Sequence, residues 1–335
     1  MKKNTGFDNI RVATEPDPEY LCLLERNTIL PLMRGTGLWY YDFGLQKSFG
    51  WWDRPLYLEK ISKIKSFFDK RLAEQQYPEA DILYVWDMES FYFVANKFTP
   101  VCYDQIDQAF EETARSGTVG DHIFLFDLPK VDLDKYKAVV FMNTYKITNE
   151  ERDFILNKVA KNGRTLIWNY LPGFTDGKKL DIGFVKKVTG FNITLTKKLN
   201  TPVVQLKNSP DNYTFSGLVA PLAVITDDQA QPLGFLKGTD SVVTAKKTFR
   251  DHTEIYSTLP LHLPDQFRNL FRAAGCHIYN DSNDFTYEHS GLLLLHTKEG
   301  GKRFLHLRNG KNISMEFPPH STTLLAGETG KVLLE

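Results

Sequence analysis

The chain has 335 residues, room for two or three domains, and its 42% hydrophobic and 24% charged residues can bury real cores and exclude a disordered chain. Its 41 Lys and Arg balance its 41 Asp and Glu, which argues against nucleic-acid binding, a role that normally carries a basic excess. No apolar run approaches the roughly 18 residues of a membrane span, and MKKNTGFDNIRV has no apolar stretch after its lysines, so neither a membrane anchor nor a secretory leader is expected.

Residues 1–18 are polar, and Pro16 and Pro18 disfavour helix. From Glu19 to Met33, Tyr20, Leu21, Leu24, Ile29 and Leu32 recur at helical spacing, with a weak point at Pro31. Arg34-Gly35-Thr36-Gly37 breaks that helix. It precedes a strand, whereas a phosphate loop follows one, so it is not a phosphate cradle. Leu38-Trp39-Tyr40-Tyr41-Asp42-Phe43 predicts a short buried strand with Asp42 at its carboxyl end. A loop with Gly50-Trp51-Trp52-Asp53 leads to a second helix over about 55–74, with Leu58, Ile61, Ile64, Phe67 and Phe68 on one face.

From Ala80 strands alternate with helices. Strands are predicted at Ile82–Asp87, Ile123–Leu128, Ala138–Met142 and Thr165–Tyr170, with helices over about 100–116 and from a Thr148/Glu151 capping box to Lys161, stopped by Gly163. Such alternation implies parallel strands in a three-layer α/β domain. Beyond about 190, short strands dominate (Ile193–Leu195, Val203–Leu206, Val242–Ala245, His252–Tyr256), interrupted by a helix over Pro264–Ala274. In 275–335, strands near Phe285–Tyr287, Leu292–His296, Arg303–Leu307, Ile313–Phe317 and Thr322–Leu325 predict a small antiparallel β-sandwich. Boundaries are expected near 78, 210 and 275.

The block Arg34–Gly44 with Gly50–Pro55 resembles the last strand and following loop of the catalytic barrel in β-galactosidase-like glycoside hydrolases of the family forty-two type. Ala274-Gly275-Cys276-His277-Ile278-Tyr279 and the leucine-rich strand ending Leu295-His296-Thr297 resemble the end of that architecture. The resemblance implies four parts: a residual (β/α)8 barrel end at 1–78; a flavodoxin-like, class I glutamine amidotransferase-like trimerisation domain at 79–210; a stretch at 211–274 that links or completes it; and a β domain at 275–335. It implies a galactoside or related glycan as partner through the parent barrel, and a homo-oligomer, a trimer in the family's manner. Family catalysis uses two glutamates on earlier barrel strands, and a whole barrel takes at least about 200 residues. The chain is therefore read as a portion inactive by itself, or as a non-catalytic oligomerisation or carbohydrate-binding module. The length of protein upstream of Met1 separates the two.

Candidate substrate-binding residues are Trp39, Tyr41, Asp42, Trp51, Trp52 and Asp53. Aromatic faces stack on sugar rings, though a cluster this dense also suits a core or a covered surface. Asp42 accepts from a sugar hydroxyl or from loop amides. Glu15, after Arg11-Val12-Ala13-Thr14, is a weak candidate for the nucleophile. In the α/β domain an amidotransferase elbow would carry Cys after the strand ending at Trp168, where Asn169-Tyr170-Leu171-Pro172-Gly173 stands. Cys102 follows a different strand, and no His-x-Glu pair is expected beyond the elbow, so that domain is read as catalytically silent. Asp87 and Glu89 follow the domain's first strand, where open α/β sheets often bind ligands, and a solvated loop pair is the alternative. The three cysteines and eight histidines show no ligand spacing, so no metal and no cofactor are expected. The sequons at Asn192, Asn212 and Asn312 are read as chance matches.

Overall fold

A computed structural model describes residues 18–40, 55–71, 80–93, 108–196, 198–207, 212–215 and 217–335. Contacts divide the chain into Ala80–Ile278 and a second unit made from both chain ends, Met1–Glu79 with Tyr279–Glu335.

In the first unit the apolar runs form β1 (Ile82–Trp86), β2 (Gly120–Phe124), β3 (Ala138–Phe141) and β4 (Thr165–Asn169), all parallel in the order β2-β1-β3-β4. Every residue of β3 and β4 is buried, as expected of parallel strands covered on both faces. Shorter strands follow: β5 (Ile193–Thr196), β6 (Leu199–Asn200), β7 (Val203–Leu206), β8 (Asn212–Thr214), β9 (Leu218–Val219), β10 (Leu222–Ile225), β11 (Gln231–Leu236), β12 (Val242–Thr248) and β13 (Thr253–Ser257). β13 returns parallel to β4, and β12, β11, β7 and β8 extend the sheet antiparallel. The centre is thus five parallel strands ordered β2-β1-β3-β4-β13.

Side chains alternate across a strand, and the register makes each face continuous. Ile82 lies opposite Ala138, Tyr84 opposite Val140, Val140 opposite Ile167, and Ile167 opposite Ile255. These residues share a core with Phe267 and Phe271 of the helix Pro264–Ala273. On the other face Phe141 pairs with Trp168, their rings stacked at 4.1 Å, and Trp168 pairs with Tyr256. Gln266 accepts the backbone N–H groups of His262 and Leu263, which starts the helix. Its buried Arg268 donates to the carbonyls of Arg115 and Ser116, just beyond the helix Ala109–Ala114.

Some expectations shift. The strand predicted over Ile123–Leu128 lies earlier, and Leu125–Lys130 forms a 3-10 turn, because Leu125 and Leu128 are buried at a three-residue spacing. The helix from Asn149 is α-helical to Phe154 and widens to a π-turn over Ile155–Val159. The helix predicted over 100–116 is seen as Ala109–Ala114, with 100–107 outside the described residues.

In the second unit the helices Pro18–Met33 and Pro55–Asp69 accompany an antiparallel sheet of β14 (Phe285–His289), β15 (Leu292–Thr297), β18 (Ser321–Ala326) and β19 (Val332–Leu334). β16 (Gly301–His306) and β17 (Asn312–Phe317) form a separate hairpin. Leu292 to Leu295 are all buried, and the first helix packs on β15 and β18, with the Thr322 hydroxyl donating to the Cys22 carbonyl at 2.7 Å. Leu38–Tyr40, predicted to begin a strand, have no strand pairing among the described residues.

Candidate functional site

A crevice of about 660 Å3 opens at the carboxyl ends of β1, β2 and β3, the edge of an open parallel sheet where ligands characteristically bind. β1 ends in Trp86 and passes directly to Asp87. Asp87 is 4% exposed and its carboxylate starts the 3-10 turn Glu89–Phe93, accepting from Ser90 N at 2.7 Å, Ser90 Oγ at 2.5 Å and Glu89 N at 3.3 Å. Asn143, just past β3, clamps the same point: Asp87 N donates to its Oδ1 at 2.8 Å and its Nδ2 donates to Asp87 O at 3.0 Å. Two adjacent strand ends are thereby tied by the Asn143 side chain to the Asp87 backbone, which makes this rim rigid.

Burial pushes the Asp87 carboxyl above the ordinary carboxylate range, against the opposing pull of its hydrogen bonds and of Lys146. Lys146 pairs with Glu89 and lies 4.0 Å from Glu151. Burial works against its charge, yet these carboxylates and Asp87 hold its ammonium above the usual lysine value. A raised carboxyl in a concave site marks a functional candidate.

The walls are aromatic. Trp86 Nε1 donates to His122 Nδ1 at 3.0 Å. The Phe110 ring lies 5.9 Å from Trp86 and 5.0 Å from His122, and Phe91 and Phe124 complete the lining. Glu111 and Asp127 stand on the rim. Of the pair singled out after the first strand, Asp87 lines the crevice, whereas Glu89 is not among its lining residues and pairs with Lys146. The aromatic partners were not legible in the sequence, because Trp86, Phe110 and His122 come from three separated segments. Among the described residues no group of three His, Cys, Asp or Glu side chains is placed to hold a metal ion.

Of the residues proposed from sequence to hold substrate, Trp39 is described. Tyr41, Asp42, Trp51, Trp52 and Asp53, like Glu15 and Cys102, lie outside the described residues. Trp39 is 76% exposed and, with Tyr20, Asn27 and Tyr40, lines a hollow of about 410 Å3 in the second unit. Tyr40 and Thr28 share a hydrogen bond of 2.7 Å between their hydroxyls. No carboxylate is among the described residues lining that hollow.

After β4 the chain turns sharply through Tyr170, whose φ is +64°. A side-chain-bearing residue rarely adopts that left-handed conformation outside constrained turns. Tyr170 is buried, donates its hydroxyl to Pro221 O at 2.9 Å, and accepts at its carbonyl from Tyr256 at 2.7 Å. The turn therefore holds a packed phenol at the position inspected in the sequence for an elbow cysteine. A His-x-Glu pair does occur downstream, as His252-Thr253-Glu254, correcting the expectation of none; its side chains meet at 3.1 Å. It lies at the opposite end of the sheet from the elbow, since Thr253 pairs with Thr165 whereas Ser257 pairs with Asn169.

No family model matches the chain, and no curated protein matches it by sequence. Solved structures do. A β-galactosidase of Bacillus circulans sp. alkalophilus superposes with a TM-score of 0.62 at 14% identity, over 80% of this chain and 44% of its own. A β-galactosidase of the Antarctic haloarchaeon Halorubrum lacusprofundi gives 0.61 at 16%, over 82% and 43%. A catalytic mutant of a GH42 β-galactosidase of G. stearothermophilus gives 0.61 at 13%, over 81% and 44%. The chain spans less than half the length of each of these structures. At such identities the likeness is one of fold. The chain is similar in fold to the C-terminal portion of the barrel-type, β-galactosidase-like glycoside hydrolases of family forty-two.

Proposed function

We propose that this chain is part of a carbohydrate-active protein of the β-galactosidase-like glycoside hydrolase type, and that it supports glycan binding or assembly without carrying out hydrolysis by itself. The observation that carries this reading is the fold likeness over about four-fifths of the chain to β-galactosidases of which it spans under half. Retaining hydrolysis needs two carboxylates about 5–5.5 Å apart, and the hollow around Trp39 offers aromatic faces with no described carboxylate. Trp39, with Tyr41, Asp42, Trp51, Trp52 and Asp53, remains the proposed galactoside surface, and Glu15 a weak nucleophile candidate in the parent fold. The strand order β2-β1-β3-β4-β13 supports a flavodoxin-like, amidotransferase-like reading of the α/β unit. The packed Tyr170 supports its being catalytically silent.

The test is calorimetric titration with galactosides alongside hydrolysis of a chromogenic β-galactoside. Binding without turnover is expected. Turnover abolished by Glu15→Gln or Asp42→Asn would overturn the accessory reading, and indifference to every galactoside would overturn the carbohydrate reading.

A second reading, a homo-oligomerisation module in the manner of a trimer, is favoured by one observation. Among the described residues β2 is an edge strand of the large sheet, and at its end Phe124 stacks on Phe126 at 5.6 Å while 40% and 60% exposed. Open edges and exposed apolar clusters mark contact surfaces.

A further inference from the structure

We propose that the crevice at the carboxyl ends of β1, β2 and β3 binds a small molecule that carries a protonated amine on a ring body. This goes beyond the carbohydrate reading and does not depend on it. Three observations converge on that chemistry. The first is the wall of π faces: Phe110 lies 5.0 Å from His122 and 5.9 Å from Trp86, around a space of about 660 Å3. Aromatic faces attract cations and also cover the apolar surface of a ring.

The second is charge. Every charged side chain among the described lining residues is acidic: Asp87, Glu111 and Asp127. Lys130 is paired to Asp127, and Lys146 is shared between Glu89 and the nearby Asp87, so the carboxylates outnumber the two lysines and the crevice stays negative. A phosphorylated or carboxylated ligand would meet repulsion, with no lysine or arginine among the described lining residues to offset it. The third is preorganisation. Asp87 is fixed by Ser90 and by the backbone clamp to Asn143, and His122 accepts from the Trp86 indole, which fixes the plane of that ring. An amine would enter between fixed aromatic faces with its charge toward the Asp87 and Glu111 side, and little would have to move.

The experiment is calorimetric titration of the full chain at neutral pH with cyclohexylamine, its neutral isostere cyclohexanol, and D-galactose. Cyclohexylamine is expected to bind at least about five-fold more tightly than cyclohexanol. Phe110 is 55% exposed and Glu111 is also exposed, so variants there leave the fold intact. Phe110→Leu should weaken the amine about two- to five-fold, and Glu111→Gln by a similar factor. Equal affinity for amine and alcohol, amine affinity unchanged in both variants, or absence of amine binding would each overturn the proposal. Galactose binding lost in Trp39→Ala, with no amine binding, would sink this proposal and leave the carbohydrate reading standing.

Discussion

Replacing Arg164 with methionine would take a cation out of the interior of the α/β unit and leave three backbone carbonyls facing an apolar side chain. Arg164 is 3% exposed and donates to Tyr136 O at 3.1 Å, Val159 O at 2.7 Å and Leu133 O at 2.7 Å. Its acceptors are carbonyls rather than a carboxylate, and burial holds the guanidinium below its ordinary pKa. Hydrogen bonds from a charged donor contribute about 1.5–3 kcal/mol each, but desolvating the cation costs several kcal/mol. Methionine relieves that cost; Leu133 O and Val159 O keep the backbone N–H donors of Tyr136 and Lys161, while Tyr136 O loses its guanidinium donor at about 1–3 kcal/mol. The balance is a net loss of about 2–3 kcal/mol, which in a unit of this size corresponds to roughly 4–12 °C in Tm. Urea and thermal unfolding followed by circular dichroism measure it, with Arg164→Lys expected between wild type and Arg164→Met because an ammonium cannot span all three acceptors. A loss below about 1 kcal/mol in Arg164→Met would show that water replaces the guanidinium and would refute the reasoning.

Glu254 is 1% exposed, accepts from Trp168 Nε1 at 3.2 Å and meets His252 at 3.1 Å, and burial raises its pKa above the glutamate value of 4.5. A raised folded-state pKa means that its stability contribution is full below the unfolded value and is lost as pH rises through the folded one. Glu254→Gln should therefore be more stable than wild type above that window and flatten the pH dependence, and a gap between the two curves that is constant with pH would refute this. Phe126→Asp should shift the protein toward smaller species in concentration-dependent light scattering, whereas an unchanged mass would remove the edge of β2 from any assembly. Gly300 has φ +65°, and a Cβ there would sit 2.7 Å from Phe317 O, so Gly300→Ala should cost at least about 2 kcal/mol in denaturant unfolding. A near-neutral result would mean that the turn relaxes.

Local chemistry was the most legible part of the sequence. The Thr148/Glu151 box forms as read, with Glu151 N donating to Thr148 Oγ1 at 3.2 Å and Thr148 N donating to Glu151 Oε2 at 2.7 Å. The runs at 82, 138 and 165 were legible because strands buried on both faces must be apolar throughout. The end of β2 was not, since Phe124-Leu125-Phe126 suits a strand until the burial of Leu125 with Leu128 shows a turn. The crevice was half legible: Asp87 announces itself after a strand, but the Trp86–His122 hydrogen bond depends on the pairing of Trp86 with Phe124 that brings β1 beside β2. The packing of the first helix on β15 and β18 joins residues 300 positions apart, beyond the reach of any local pattern.

That long-range closure sets an order of assembly. The unit Ala80–Ile278 is one uninterrupted stretch, so its contacts are all available once residue 278 has been synthesised, whereas the helix Pro18–Met33 is made before that unit and its partner strands after it. During synthesis the buried side of that helix, Cys22, Ile29 and Met33, waits for the Leu292–Leu295 run while a whole α/β unit is added between them. A nascent or truncated chain ending before Leu292 would hold out a sticky helix, the kind of surface that chaperones grip. Folding of the second unit thus depends on β15 and β18, and damage there leaves the helix Pro18–Met33 without the strands it packs on.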